Sequence, residues 1–147
     1  MVKTVKLEVI TPSKLFYKGE AELVIVTTLG GDEGFMAGHA WACKLLDVGE
    51  LWIREANRKD YKIAVVAGGY IDVKESIIIY TDAAEWAEEI DVSRAKTEKE
   101  RAEAWLRHES SEREEEYTPD NIRRAQIALA KSMERLKVAG GGGRKRR

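Results

Sequence analysis

The chain holds one cysteine, no apolar run close to the roughly 20 residues that span a bilayer, and almost no net charge. Each shortage removes a class of protein. With Cys43 alone there is no disulfide framework, which suits a reducing compartment, and the residue is expected to be a small buried hydrophobe. The lack of long apolar segments, at the start MVKTVKLEVI as elsewhere, predicts neither a secretory leader nor direct bilayer insertion. A soluble intracellular protein able to dock on a membrane complex is expected. Lys and Arg total 25 against 26 Asp and Glu, a net charge of −1, so nothing draws the whole chain to nucleic acid or acidic lipid. Also missing are a P-loop, a metal-ligand cluster and a nucleophile with its base. His39 has no serine or cysteine arrangement to partner it, and His108 falls in a highly charged stretch. No catalytic residue and no metal is expected.

What is present divides into two halves with different periods. From Lys3 to about Asp82 the apolar residues alternate or form short runs bounded by Gly, Pro and Asp. Val5, Leu7 and Val9 face one way, and TPS at Thr11 to Ser13 ends that strand. The runs ELVIVTTL, LWIREA, YKIAVVA, GYIDV and SIIIYTD follow at short intervals, with LGGDEG, ANRKD and AGG between them. Close spacing predicts an antiparallel β-sandwich or flattened barrel, since parallel strands need long crossovers. Leu51 to Arg54 and Tyr61 to Val66 form an expected hairpin around Asn57 and Arg58.

After Asp82 the spacing becomes helical. Val92, Ala95, Ala102 and Leu106 mark one helix, and Ile122, Ala125, Leu129, Met133 and Leu136 a second. Thr118 is placed to cap the second helix, with Pro119 at its first position and Asp120 near the positive end of its dipole. HESSEREEEY separates the two, so an antiparallel two-helix hairpin is expected, with an alanine-rich seam that leaves it marginally docked. AGGGGRKRR reads as a flexible basic tail. The expected domains are a β-sandwich over 1–86, a helical hairpin over 87–139 and the tail over 140–147.

Two readings stand for EIDVSRA at Glu89 to Ala95. Asp91 is an ordinary helix cap with Arg94 and Arg101 on a solvated face, or Arg94 and Arg101, two turns apart on one face, address a single polyanion.

Segments in fixed order make the chain resemble the epsilon subunit of bacterial F-type ATP synthases. KLEVITPSKLFYKGEAE is similar to that family's opening strands, GDEGFMAGHA to its glycine-rich segment ending in His-Ala, and VAGGYIDVKESIIIYTDAAE to its closing strands. EEIDVSRAKTEKERAE and ALAKSMERLKVA resemble the start of its first helix and the end of its second. The resemblance implies a ten-stranded β-sandwich bound to the gamma subunit and the c-ring, peripheral on the cytoplasmic face of the bacterial membrane. It also implies a hairpin that permits catalysis when folded and inhibits ATP hydrolysis when extended among the alpha and beta subunits. No cofactor is required. ATP enters as a regulatory ligand, through a motif that stands here as Ile90, Asp91, Arg94 and Ala95, joined by Glu85, Arg101 and Arg135. Lys131 replaces an arginine of that set, which keeps the charge and loses the paired donors. By the same resemblance Asp32 faces the c-ring, His39 faces gamma, and the basic second helix, Arg123 and Arg124 included, engages the beta subunits. Trp41 and Ala37 stand where many members carry proline, and Trp41 and Phe35 are equally readable as core aromatics. The alternative is a stand-alone β-sandwich module whose hairpin recruits another protein.

Overall fold

In the computed structural model, which describes residues 3–107 and 118–140, the chain divides into two units, Met1–Trp86 and Ala87–Arg147. The HESSEREEEY stretch with His108 and the residues beyond Gly140 lie outside the described residues.

The first unit is a closed β structure. Its strands are β1 (Val5–Ile10), β2 (Leu15–Thr28), β3 (Gly31–Phe35), β4 (Ala42–Glu55), β5 (Lys62–Val73), β6 (Ile77–Tyr80) and β7 (Ala84–Trp86). The hydrogen-bonded order is β1, β6, β5, β4, β2, β3, and β1 also pairs with β2, which closes the ring, while β7 pairs with β5. All pairings are antiparallel except β1 with β6. That parallel pair departs from the sequence expectation. The crossover it needs is supplied by the whole run of intervening strands instead of by a helix.

Among the described residues seven strands are found where the resemblance implies ten. The difference lies in β2, β4 and β5, which are 14, 14 and 12 residues long and change neighbours along their length. β2 pairs first with β1 and then with β3, and β5 pairs first with β7 and then with β6. YKIAVVA and GYIDV are thus one strand. Gly68 and Gly69 bend it without ending it, at φ of 81° and 106°. The expected hairpin is present, with Ile53 opposite Lys62 and Asn57 at φ 59° in the connection.

Alternation builds the core. Leu7 and Val9 of β1, Val24 and Val26 of β2, Leu51 and Ile53 of β4, and Ile77 and Ile79 of β6 are fully buried together with Phe35. Trp41 is 69% exposed, so only Phe35 of those two aromatics is core. Cys43 is exposed, contrary to expectation, because the parity of β4 turns it outward with Leu45 while Leu46 faces in.

The second unit begins with a 3-10 turn at Ala87–Glu89 and continues as α1 (Val92–Leu106) and α2 (Pro119–Ala139). Thr118 caps α2 as expected, its hydroxyl accepting from the Asn121 amide at 3.2 Å. The seam differs in one place. Met133 is 51% exposed and Ser132 is buried instead, its hydroxyl donating to the Ala128 carbonyl at 2.9 Å. Ile122, Ala125, Leu129, Ser132 and Leu136 then repeat at alternating intervals of three and four, the spacing that keeps one stripe facing a partner helix. On α1 the same spacing selects Ala95, Glu98, Ala102 and Trp105, of which the two alanines are buried.

Candidate functional site

Two features of the surface are chemically distinctive, one in each unit. The first is a row of apolar residues turned outward on the β body. Leu45 lies opposite Tyr70, Tyr70 opposite Tyr80, Tyr80 beside Ile10, and Ile10 opposite Leu15. Leu29 joins the far end, its amide donating to the Leu45 carbonyl at 3.2 Å. Leu29 and Leu45 are 67% and 62% exposed, Leu15 is also exposed, and Tyr70 stacks on Tyr80 with ring centroids 4.8 Å apart. Followed from strand to strand around the closed body, the path from the end of β2 back to its start is about 24 Å long at the ordinary spacing of paired strands. Single exposed apolar residues are commonplace, but a continuous row in register is not.

Asp32 lies on β3, beside the turn that carries Leu29, and accepts from the Thr27 hydroxyl at 2.9 Å. His39 sits in the link between β3 and β4. Its Nδ1 donates to the Ala40 carbonyl at 2.7 Å and its ring meets Phe35 edge to face at 4.7 Å. Met36 and Trp41, both exposed, flank it.

The second feature is a cleft of about 770 Å³ between α1 and α2. Its charged lining is Arg101, Arg124, Lys131, Arg135 and one acid, Glu98, over a floor that includes Ala102, Ala125 and Ala128, with Trp105 and Asn121 also on the wall. Among the described residues, four cations line it against one carboxylate, a balance that favours an anion. Of the residues expected to hold a nucleotide, the cleft gathers Arg101, Lys131 and Arg135. It also takes in Arg124, which the sequence assigned to subunit contact.

The remaining expected residues are elsewhere. Asp91 caps α1, its Oδ1 accepting from the Arg94 amide at 3.1 Å with extended backbone at φ −81° and ψ 102°. Arg94 is not among the residues lining the cleft; its side chain is 76% exposed and pairs with Glu98, which is. Ile90 precedes the cap, and Ala95 is buried in the seam. Glu85 is on β7 in the other unit, opposite Val65. Arg123 is exposed on α2. Glu98, Trp105 and Asn121 were not anticipated. Glu98 carried one readable signal, an acid at a position where the three-four spacing demands a seam residue.

Among known proteins, the ATP synthase delta/epsilon β-sandwich domain matches residues 4–87, and the long α-helix domain of the same chains matches residues 88–140. The chain belongs to the ATP synthase delta/epsilon family. The boundary between the two family domains falls within a residue or two of the break between the structural units at Trp86 and Ala87. Relatives named ATP synthase epsilon chain include that of Caldanaerobacter subterraneus, 39% identical over 95% of this chain and 96% of its own. That of Desulforamulus reducens is 38% identical over 95% and 99%. In fold, the chain is similar to one in the mitochondrial ATP synthase of Euglena gracilis, with a TM-score of 0.72 at 22% identity over 89% of this chain and 78% of that one. A chain in the central stalk and c-ring structure from Tetrahymena thermophila gives 0.57 at 13% identity, over 93% and 97%.

Proposed function

We propose that the chain is the non-catalytic epsilon subunit of an ion-translocating F-type ATP synthase, docked on gamma and the c-ring by its β body and regulating ATP hydrolysis through its helix pair. The observation that carries this reading is the outward row from Leu29 to Leu15. Apolar surface of that extent is unfavourable in water, and covering it with a partner's side chains supplies the non-directional part of an interface. Asp32 beside Leu29 is assigned to the c-ring side. His39, with Met36 and Trp41, is assigned to gamma. Arg123 and Arg124 are assigned to the beta subunits of the catalytic head, reached with alpha when the helices extend. The complex would hold the chain at the cytoplasmic face of the membrane as a peripheral component.

The regulatory half of the proposal is supported by the cationic cleft. The four cations lining the cleft are assigned to the polyphosphate chain of ATP, and Asp91 to the adenine side as an acceptor for the exocyclic amine. ATP acts here as a signal and not as a substrate. A ligand bound only to the closed pair stabilises it by RT ln(1 + [L]/Kd), about 2.7 kcal/mol at a hundredfold excess over Kd, enough to reset a nearly balanced pair of states. The test is hydrolysis by a catalytic complex lacking this subunit, to which the purified chain is returned. Activity should fall on binding and recover as ATP is raised to millimolar levels. Binding without any change in activity would refute the regulatory half, and failure to bind would refute the docking half.

A further inference from the structure

Glu98 occupies a seam position. Ala95 and Ala102, three residues before and four after it, are buried, so its side chain leaves α1 on the stripe that meets α2. An acid there requires a cation from the other helix, and it has one. Its Oε2 accepts from Arg135 Nη1 at 3.0 Å, across 37 residues of sequence, while its Oε1 accepts from Arg94 Nε at 2.9 Å. Glu98 and Arg135 are each about one third exposed or less. Both residues line the cationic cleft, and Glu98 is the one acid among the residues described there.

We propose that Glu98 is an internal anion, a carboxylate that takes the guanidinium of Arg135 in place of a ligand's phosphate and straps α1 to α2 when no ligand is bound. This rests on the reading of the cleft as a polyanion site. A carboxylate offering one oxygen to each of two arginines presents the same acceptor chemistry as a phosphate bridging them. The two anions compete for Arg135, and an incoming phosphate either displaces Glu98 or sits close enough to be repelled by it. The strap therefore does part of what a bound nucleotide would do. The helix pair is held closed at low nucleotide, and the affinity of the cleft for nucleotide is lowered.

A ligand-contact residue loses affinity when its charge is removed, whereas an internal competitor gains it. Calorimetric titration of the full chain with ATP, and with tripolyphosphate as a probe without a base, separates the two. Glu98→Gln keeps the shape and should bind both ligands at least about fourfold more tightly than wild type, the size of a like-charge repulsion across about 5 Å even at the dielectric of water. Glu100→Gln, which removes the same charge from an exposed site on α1, should leave both affinities unchanged. Adding Arg135→Ala to Glu98→Gln should cancel the gain. Without ligand, amide exchange in α2 should be faster in Glu98→Gln than in wild type, and ATP should slow it again. Equal affinities in wild type and Glu98→Gln would overturn the internal-anion proposal and leave the nucleotide reading standing. Weaker binding by Glu98→Gln would overturn it by making Glu98 a ligand contact. No binding by either protein up to millimolar ligand would remove the nucleotide reading and this proposal together, and an equal gain in Glu100→Gln would reduce the effect to net charge.

Discussion

Replacing Gly69 by alanine should be among the most damaging single changes in the β body, for a reason visible in the backbone. Gly69 stands at φ 106°, and a Cβ placed on it would lie 1.8 Å from the Tyr80 carbonyl oxygen and 2.8 Å from its carbon. Those are backbone atoms of β6 and cannot rotate away, so β5 and β6 would have to draw apart by more than an ångström. The backbone conformation itself costs a residue with a side chain about 1–3 kcal/mol. Loosening one or two ladder hydrogen bonds adds about 1 kcal/mol each, so about 2–5 kcal/mol in total is expected, a loss of roughly 10–40 °C in melting temperature for a unit of this size. Gly68→Ala is the internal control. It shares a positive φ of 81°, but its Cβ would meet only the Leu46 carbonyl oxygen at 3.5 Å, an ordinary contact. Urea unfolding followed by near-ultraviolet circular dichroism should give Gly68→Ala the strain alone, with Gly69→Ala about 1–2 kcal/mol worse. Equal losses would refute the close approach of β5 to Tyr80. The register that aligns Tyr70 with Tyr80 in the outward row would then be in doubt as well.

Other expectations can be checked on the isolated chain. Asp91→Ala should cost about 1 kcal/mol of stability, the ordinary worth of a helix cap, when helix melting is followed by far-ultraviolet circular dichroism. Ser132→Ala should be nearly neutral, because among the described residues the buried hydroxyl bonds within its own turn to Ala128, and a loss above about 1.5 kcal/mol would point to a role for the hydroxyl across the seam. A pH profile tests the Tyr17, Glu55 and Lys62 cluster. Glu55 is held below the usual carboxylate range, first by Lys62, which lies 3.0 Å away, with the Tyr17 hydroxyl donating to it at the same distance. Burial, then Glu55, raises Tyr17 above the usual tyrosine range. The stabilisation by ionised Glu55 is present above the unfolded value of about 4.3 and is lost as pH falls through the lower folded value, while that of neutral Tyr17 is lost as pH rises beyond about 10. Wild type should therefore exceed Glu55→Gln in melting temperature at pH 7, and the gap should close in acid.

The elements legible in the sequence were those with local signals. Thr118-Pro119 announced α2, and the alternation of Val5, Leu7 and Val9 announced β1, because capping and pleating act on neighbouring residues. β3 was missed since GDEGF has one apolar residue and owes its strand form to pairing with β2. The Gly68-Gly69 pair looked like a turn in the sequence and is a bend inside β5, a distinction made by the approach of Tyr80 from another strand. Cys43 and Leu45 were hard to place because ACKLLDV has apolar residues in both parities, and only the register with β5 decides which side faces water. In the cleft, Arg101 and Arg135 were readable from spacing and resemblance. The pairing of Glu98 with Arg135 was not, since nothing in a linear pattern joins residues 37 apart.

The most direct test of the central claim is the affinity of the purified chain for a gamma and c-ring complex, with wild type compared with Leu29→Glu/Leu45→Glu. Both substitutions are at exposed positions, so the fold should survive, as an unchanged melting temperature would verify. Two buried charges in the contact should weaken binding by at least about a hundredfold. Undiminished binding by the folded double variant would contradict the assignment of the outward row as the docking surface.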